Sequence, residues 1–161
     1  LEQPTHLAKE DIGRMSEDPF YHSPAMMTYD AHWENCQAIL HTYFGEHIQQ
    51  ADNMIALGHD YMAKMHVASP SVVINACLTG VSCFAAARQT GKRKYVKMAH
   101  ICRSKIKKWL DMGNPNVKHY GSILDAEAMA LKGKTFEAIK NYEVAILLAA
   151  RSGYQQDAAL A

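Results

Sequence analysis

Apolar residues return every three or four positions along this chain, in six runs separated by glycine and proline. The first begins after Thr28 or Asp30, either of which can cap a helix. It carries Trp33, Cys36, Ile39, Leu40 and Tyr43 up to a break at Gly45. The second holds Ile48, Ala51, Ile55, Tyr61, Met62 and Met65 and stops before Pro70. Ser69, Pro70 and Ser71 restart the pattern; Val72, Val73, Ala76, Cys77, Gly80, Phe84 and Ala87 form the third helix, ended by Gly91. The fourth, residues 92–111, is the most clearly two-sided. At about 100° per residue, its Tyr95, Met98, Ala99, Cys102, Ile106, Trp109 and Leu110 fall within an arc of about 120°, with Val96 and Ile101 outside it.

A Gly-Asn-Pro-Asn turn at residues 113–116 precedes a fifth helix, residues 117–131, followed by Gly133. The sixth carries Phe136, Ala138, Ile139, Tyr142, Ala145, Ile146 and Ala149 up to Gly153, and residues 155–161 begin a seventh. No run alternates with period two, so no sheet is expected. Residues 1–27 differ. Pro4, Gly13, Pro19 and Pro24 interrupt them, and they read as an irregular arm with one short helix near residues 7–15. The breaks at Gly45, Gly91 and Gly133 are spaced by about 46 and 42 residues, which predicts helical hairpins at about 28–68, 71–111 and 117–152. One hairpin cannot bury its own apolar stripe, so the three are expected to stack.

The segment 133–150, GKTFEAIKNYEVAILLAA, resembles the second half of a tetratricopeptide repeat. Gly133, Phe136, Glu137-Ala138-Ile139, Tyr142 and Ala145-Ile146 hold that pattern's places. The resemblance implies close helix approach at Ala138 and Ala145, with Tyr142 filling the gap. The first half of the repeat departs from the pattern: Ala126 fits, but Ser122 and Asp125 stand where Trp and Leu are usual, and Ala150 replaces the customary proline. Residues 106–161 as a whole are similar to the helical region of large signalling proteins, which also carry a kinase-like domain, an ATPase and an output histidine kinase or cyclase. That similarity implies a linking role between domains. None of the family's catalytic motifs occurs in this chain.

Composition adds a charge asymmetry. Residues 1–60 hold ten acids against Lys9 and Arg14, residues 61–118 hold eleven bases against Asp111, and the remainder has five acids and four bases. Apolar residues make up 48% and charged residues 20%, the balance of a chain with a buried core. No uninterrupted run of eighteen apolar residues predicts a membrane span, and the charged first residues do not read as a signal peptide. The chain starts at Leu1 and stops within a predicted helix, which reads as a piece of a longer protein. Cys36, Cys77, Cys83 and Cys102 form no CxxC pair and read as buried reduced thiols of a cytoplasmic protein.

Candidate chemistry is sparse. His32 and Cys36 are four residues apart on one helix, a spacing suited to two metal ligands, but no second pair completes a site. His100 and Cys102 point to different faces, as do His59 and Asp60. Ser82, Cys83 and Ser104 are mid-helix rather than at an exposed turn. The Gly-Lys pairs at Gly91 and Gly133 lack the upstream glycine of a phosphate loop. No catalytic residue, cofactor or metal is expected. Methionines such as Met54, Met62, Met65, Met98 and Met129 read as core filling.

The sharper feature is the polar face of the fourth helix, with Lys92, Arg93, Lys94, Lys97, Arg103, Lys105, Lys107 and Lys108. It is a candidate face for an acidic partner; binding of nucleic acid through phosphates is the alternative, though no aromatic residues interleave with these cations. The sequence therefore predicts an all-α stack of antiparallel hairpins, a tetratricopeptide-like α-solenoid of six helices and the start of a seventh. Its expected role is a non-catalytic scaffold that contacts other protein domains, with Gly133, Phe136, Ala138, Tyr142 and Ala145 as packing positions.

Overall fold

The computed structural model describes residues 24–58 and 70–161. Seven α-helices follow one another: α1 (Pro24–Tyr43), α2 (His47–Leu57), α3 (Pro70–Thr90), α4 (Arg93–Asp111), α5 (Lys118–Leu131), α6 (Thr135–Arg151) and α7 (Gln155–Leu160). A 3-10 turn, Pro115–Val117, leads into α5, and no strand occurs among the described residues. Residues 1–23 of the expected arm at 1–27, including its short helix, and the run through Tyr61, Met62 and Met65 lie outside the described residues.

Two boundaries differ from the sequence reading. Helix α1 begins at Pro24, so residues 24–27 are helical rather than irregular. Proline suits a first helical turn, where its missing N–H is needed by no partner and its fixed φ is already helical. Helix α2 stops at Leu57, because Gly58 takes φ 90 and closes it through its N–H to the Met54 carbonyl.

Four other helix ends follow one local rule. After α5, the Gly133 N–H reaches the Ala130 carbonyl and the Lys134 N–H reaches Met129. The same crossed pair closes α1 at Gly45, α4 at Gly113 and α6 at Gly153. This turn needs a left-handed residue at its centre, and Gly133 supplies φ 72 without a Cβ penalty. Each glycine thus satisfies orphan carbonyls and reverses the chain, so that consecutive helices pack side by side.

Packing follows chain order with two skips, α1 to α3 and α3 to α5. Helix α1 touches α2 and α3, α2 touches α3, α3 touches α4 and α5, α4 touches α5, α5 touches α6 and α6 touches α7. Helix α3 is the centre: every residue from Asn75 to Ala87 is buried. It is also the one described helix long and apolar enough to cross a membrane, although most of that stretch is buried inside the protein. Counting uninterrupted apolar runs passes over it, because Asn75, Thr79, Gly80 and Ser82 break the run. The core around it holds Phe84, Tyr95, Ile106, Ile123 and Leu124, none more than 1% exposed. Burial of each such large apolar side chain contributes about 1.5–3 kcal/mol.

Gly80 sets how closely α3, α4 and α5 approach. A Cβ there would lie 2.7 Å from Leu124 Cδ2 and 3.2 Å from Cys102 Cβ. Leu124 is fully buried and has little room to retreat. Gly80→Val is therefore expected to destabilise the fold by about 2 kcal/mol, overpacking outweighing the helix propensity gained. Denaturant unfolding checks this; an unchanged midpoint would contradict the close approach.

Candidate interaction surfaces

Three kinds of polar or exposed feature are built on this frame: buried polar ties, a cationic face and two exposed apolar faces. The first tie centres on Glu127 of α5, which is 6% exposed. Arg88, near the end of α3, donates Nη1–H to its Oε2 at 2.5 Å, and Tyr142 of α6 donates its hydroxyl to Oε1 at 2.5 Å. One carboxylate thus joins three helices. Burial, followed by the Glu127 hydrogen bond and charge, pushes the Tyr142 phenol well above its ordinary pKa. Nearby, Ser82 Oγ of α3 lies 3.0 Å from Thr42 Oγ1 and 3.4 Å from His47 Nδ1. Burial holds the His47 imidazole below its usual pKa, with Glu127 opposing and Arg88 reinforcing that shift.

The second tie fastens α7. Asp157 Oδ2 accepts from the Tyr120 hydroxyl at 2.9 Å and lies 3.0 Å from His119 Nε2. Tyr154 stacks on the His119 ring at a centroid distance of 4.9 Å, and the Tyr43 hydroxyl of α1 donates to the Gln156 carbonyl. Asp157, His119 and Tyr120 are all buried, so their polar atoms meet each other instead of water. Burial, then the Asp157 charge and hydrogen bond, raise the Tyr120 phenol. Both ties cross between helices and join residues distant in sequence, which is why spacing along one helix does not reveal them. The one local signal is Glu127, which with Asp125 interrupts the otherwise apolar run from Ile123 to Leu131.

The residues considered for catalysis or metal binding scatter. His32 and Cys36 are both exposed on α1, and no group of three or more His, Cys, Asp or Glu that could hold a metal occurs among the described residues. Cys36 departs from the expected buried thiol, whereas Cys77, Cys83 and Cys102 are buried. Burial pushes the Cys102 thiol up to about 12. Ser82 is buried, and Ser104 is exposed in the middle of α4. His59 and Asp60 lie outside the described residues.

The eight cations at α4 divide into two sets. Lys94 pairs with Asp52 of α2 and Arg103 with Asp125 of α5, each at 2.5 Å. These pairs flank the helix where it meets its neighbours. Lys92, Arg93, Lys97, Lys107 and Lys108 are exposed and form no ion pair with a described residue; Lys105 is half-buried.

The packing positions predicted on α6 are partly met. Ala138 and Ala145 are buried against α5, and Gly133 makes the turn. Tyr142 is half-buried, with its hydroxyl on Glu127. Phe136 packs into no core: it is 67% exposed, with Lys140 Nζ 4.4 Å above its ring. The alanines turn the opposite side of α6 inward, so Phe136 shares an outer face with Ile139, Val144, Ile146 and Leu147, all exposed. Helix α1 exposes Trp33 and Leu40 at helical spacing, and Phe44, just past its end, is exposed beside them in sequence.

Compared with protein-family models, with curated proteins and with solved structures, the chain has no match.

The buried ties and thiols make stability fall at high pH. The folded pKa values of Cys102, Tyr120 and Tyr142 lie above their unfolded values, so their contribution is complete below about pH 9 and is lost as pH rises further. Tyr142→Phe is expected to cost about 1 kcal/mol at pH 7 and to reduce the loss above pH 10. Urea midpoints measured from pH 7 to 11 check both; an equal alkaline loss in the variant would contradict the Glu127 tie.

Proposed function

We propose that this chain is a non-catalytic helical-repeat scaffold whose repeats stack as tetratricopeptide-like hairpins and hold other protein domains. The observation that carries the reading is the outer face of α6. A helix with alanines packed inward also exposes Phe136, Ile139, Ile146 and Leu147, interspersed with Lys140 and Glu143, and these four stay uncovered among the described residues. Exposed apolar groups on that scale mark a contact surface.

The occupant of this face is a further helical hairpin of the same build, supplied by a neighbouring domain. The arrangement inside the chain supports that choice. Helix α4 rests on α3 and is flanked by α5, and Arg103–Asp125 and the close approach of Leu110 to Gly121 seal that flank. Helix α6 rests on α5 in the same way, but among the described residues its main other neighbour is the six-residue α7. The recurring glycine turns at Gly45, Gly113, Gly133 and Gly153 support a repeated unit. The resemblance of residues 106–161 to the helical region of multidomain signalling proteins supports a linking position between an ATPase and an output domain. In that setting the mechanism is geometric: stacked hairpins fix the distance and orientation of what they join.

In a stacked array, stability sums over units and their nearest-neighbour interfaces. Fusing one consensus tetratricopeptide hairpin after Ala161 is therefore expected to raise Tm by several degrees and to slow amide exchange in α6. Leu147→Glu should change the unfused chain little, within about 0.5 kcal/mol, and abolish the gain in the fusion. Equal Tm values for the fused and unfused chains would contradict the stacking.

A further inference from the structure

We propose that the outer face of α4 is a docking strip for an acidic polypeptide segment. The proposal concerns a different surface from the α6 face and adds a partner chemistry to the scaffold reading, on which it rests. On α4, Tyr95, Met98, Ala99, Cys102 and Ile106 are buried, which turns Arg93, Lys97, Lys107 and Lys108 to the opposite side. These four span about 22 Å of helix, at 1.5 Å per residue.

Two features set this strip apart from an ordinary solvated face. Its charges are not interleaved with acids: the first turn has none, and Asp111 is the only acid on the helix. Arg93 and Lys97 are like charges four residues apart, and Lys94 adds a third at the same end, where the helix dipole already disfavours cations. Asp52 offsets Lys94 and Asp125 offsets Arg103, but Arg93 and Lys97 form no ion pair with a described residue, so their mutual repulsion stands. An anionic partner relieves it.

The width of the strip selects the partner. Asp52 on one side and Asp125 on the other confine the positive potential to a single helix face. An extended or helical acidic peptide fits that width. A nucleic-acid duplex, broader than one helix, would bring phosphates over those flanking carboxylates. The unpaired cations are lysines apart from Arg93, and His100 and Ser104 lie between them on the exposed side, so no aromatic platform is offered to stack bases. The chain as a whole has a formal net charge of +1, far from the strongly basic balance of a nucleic-acid module.

The test is fluorescence anisotropy of the whole chain with a labelled Glu-rich peptide of about fifteen residues, long enough to follow the strip as a helix. Binding is expected, weakening about tenfold between about 50 and 300 mM salt as the charges are screened. Combined Arg93→Glu, Lys97→Glu, Lys107→Glu and Lys108→Glu should weaken it at least about tenfold. Lys132→Glu with Lys134→Glu, at the α5–α6 turn, should leave it unchanged. If the reversed variant loses its helical circular dichroism, Lys97→Gln with Lys107→Gln and Lys108→Gln replaces it, with a severalfold loss expected. Leu147→Glu should bind the peptide normally, which separates this strip from the α6 face. Absence of peptide binding, undiminished binding by the charge variants, or a duplex DNA oligomer that binds more tightly than the peptide would each overturn the proposal.

Discussion

Helix α3 has thirteen consecutive buried residues, from Asn75 to Ala87, so each of its sides must be covered by something else. An amphipathic helix asks for one neighbour; this one asks for a ring of them. Helices α1, α2, α4 and α5 supply contacts around it, and the rest of the architecture follows from that demand. The close approach at Gly80 fixes where α4 and α5 sit, and Arg88 at the end of α3 reaches out to the Glu127 tie. The chain can meet the demand because glycine turns bring successive helices back along one another with their carbonyls satisfied.

From this centre outward, apolar burial gives way to polar ties. Between α3, α4 and α5 the contacts are Phe84, Cys102, Ile106 and Leu124; between α5 and α6 they are alanines with one buried carboxylate; between α5 and α7 they are an Asp, a His and a Tyr. Buried polar groups add little net stability compared with aliphatic packing, but they admit few alternative arrangements. The outer helices are thus held more by geometry than by apolar area. That gradient is consistent with the scaffold we propose, in which α6 offers exposed apolar groups to a neighbouring domain.

Much of the fold is legible in the sequence because helix ends and helix faces are local properties. Periodicity marks seven helices, and the glycine breaks fall where the turns are. Sequence and structure part where a breaker residue takes its other role, or where burial depends on a non-local neighbour. Pro24 suggests a break before residue 28, though at a first turn proline starts a helix. The apolar spacing from Ile48 to Met65 suggests one helix, but Gly58, with φ 90, ends α2 after Leu57. Phe136 and Cys36 looked buried because a matching pattern or apolar neighbours say nothing about which helices stand beside them. The cationic face of α4 was visible at once, since charge segregation on one helix is a sequence property. The buried polar ties were not, because Arg88, Glu127 and Tyr142 meet only after three helices have packed.

The account rests on α3 being the last element to come apart and α6 and α7 being less deeply held. Native-state hydrogen exchange across the whole chain tests this most directly. Amides between Asn75 and Ala87 should exchange only through global unfolding, with a denaturant dependence equal to that of the whole molecule, while those of α6 and α7 open at lower free energy. If α3 amides exchange as readily as those of α6, the fold has no such centre and the account of how these helices are assembled is wrong.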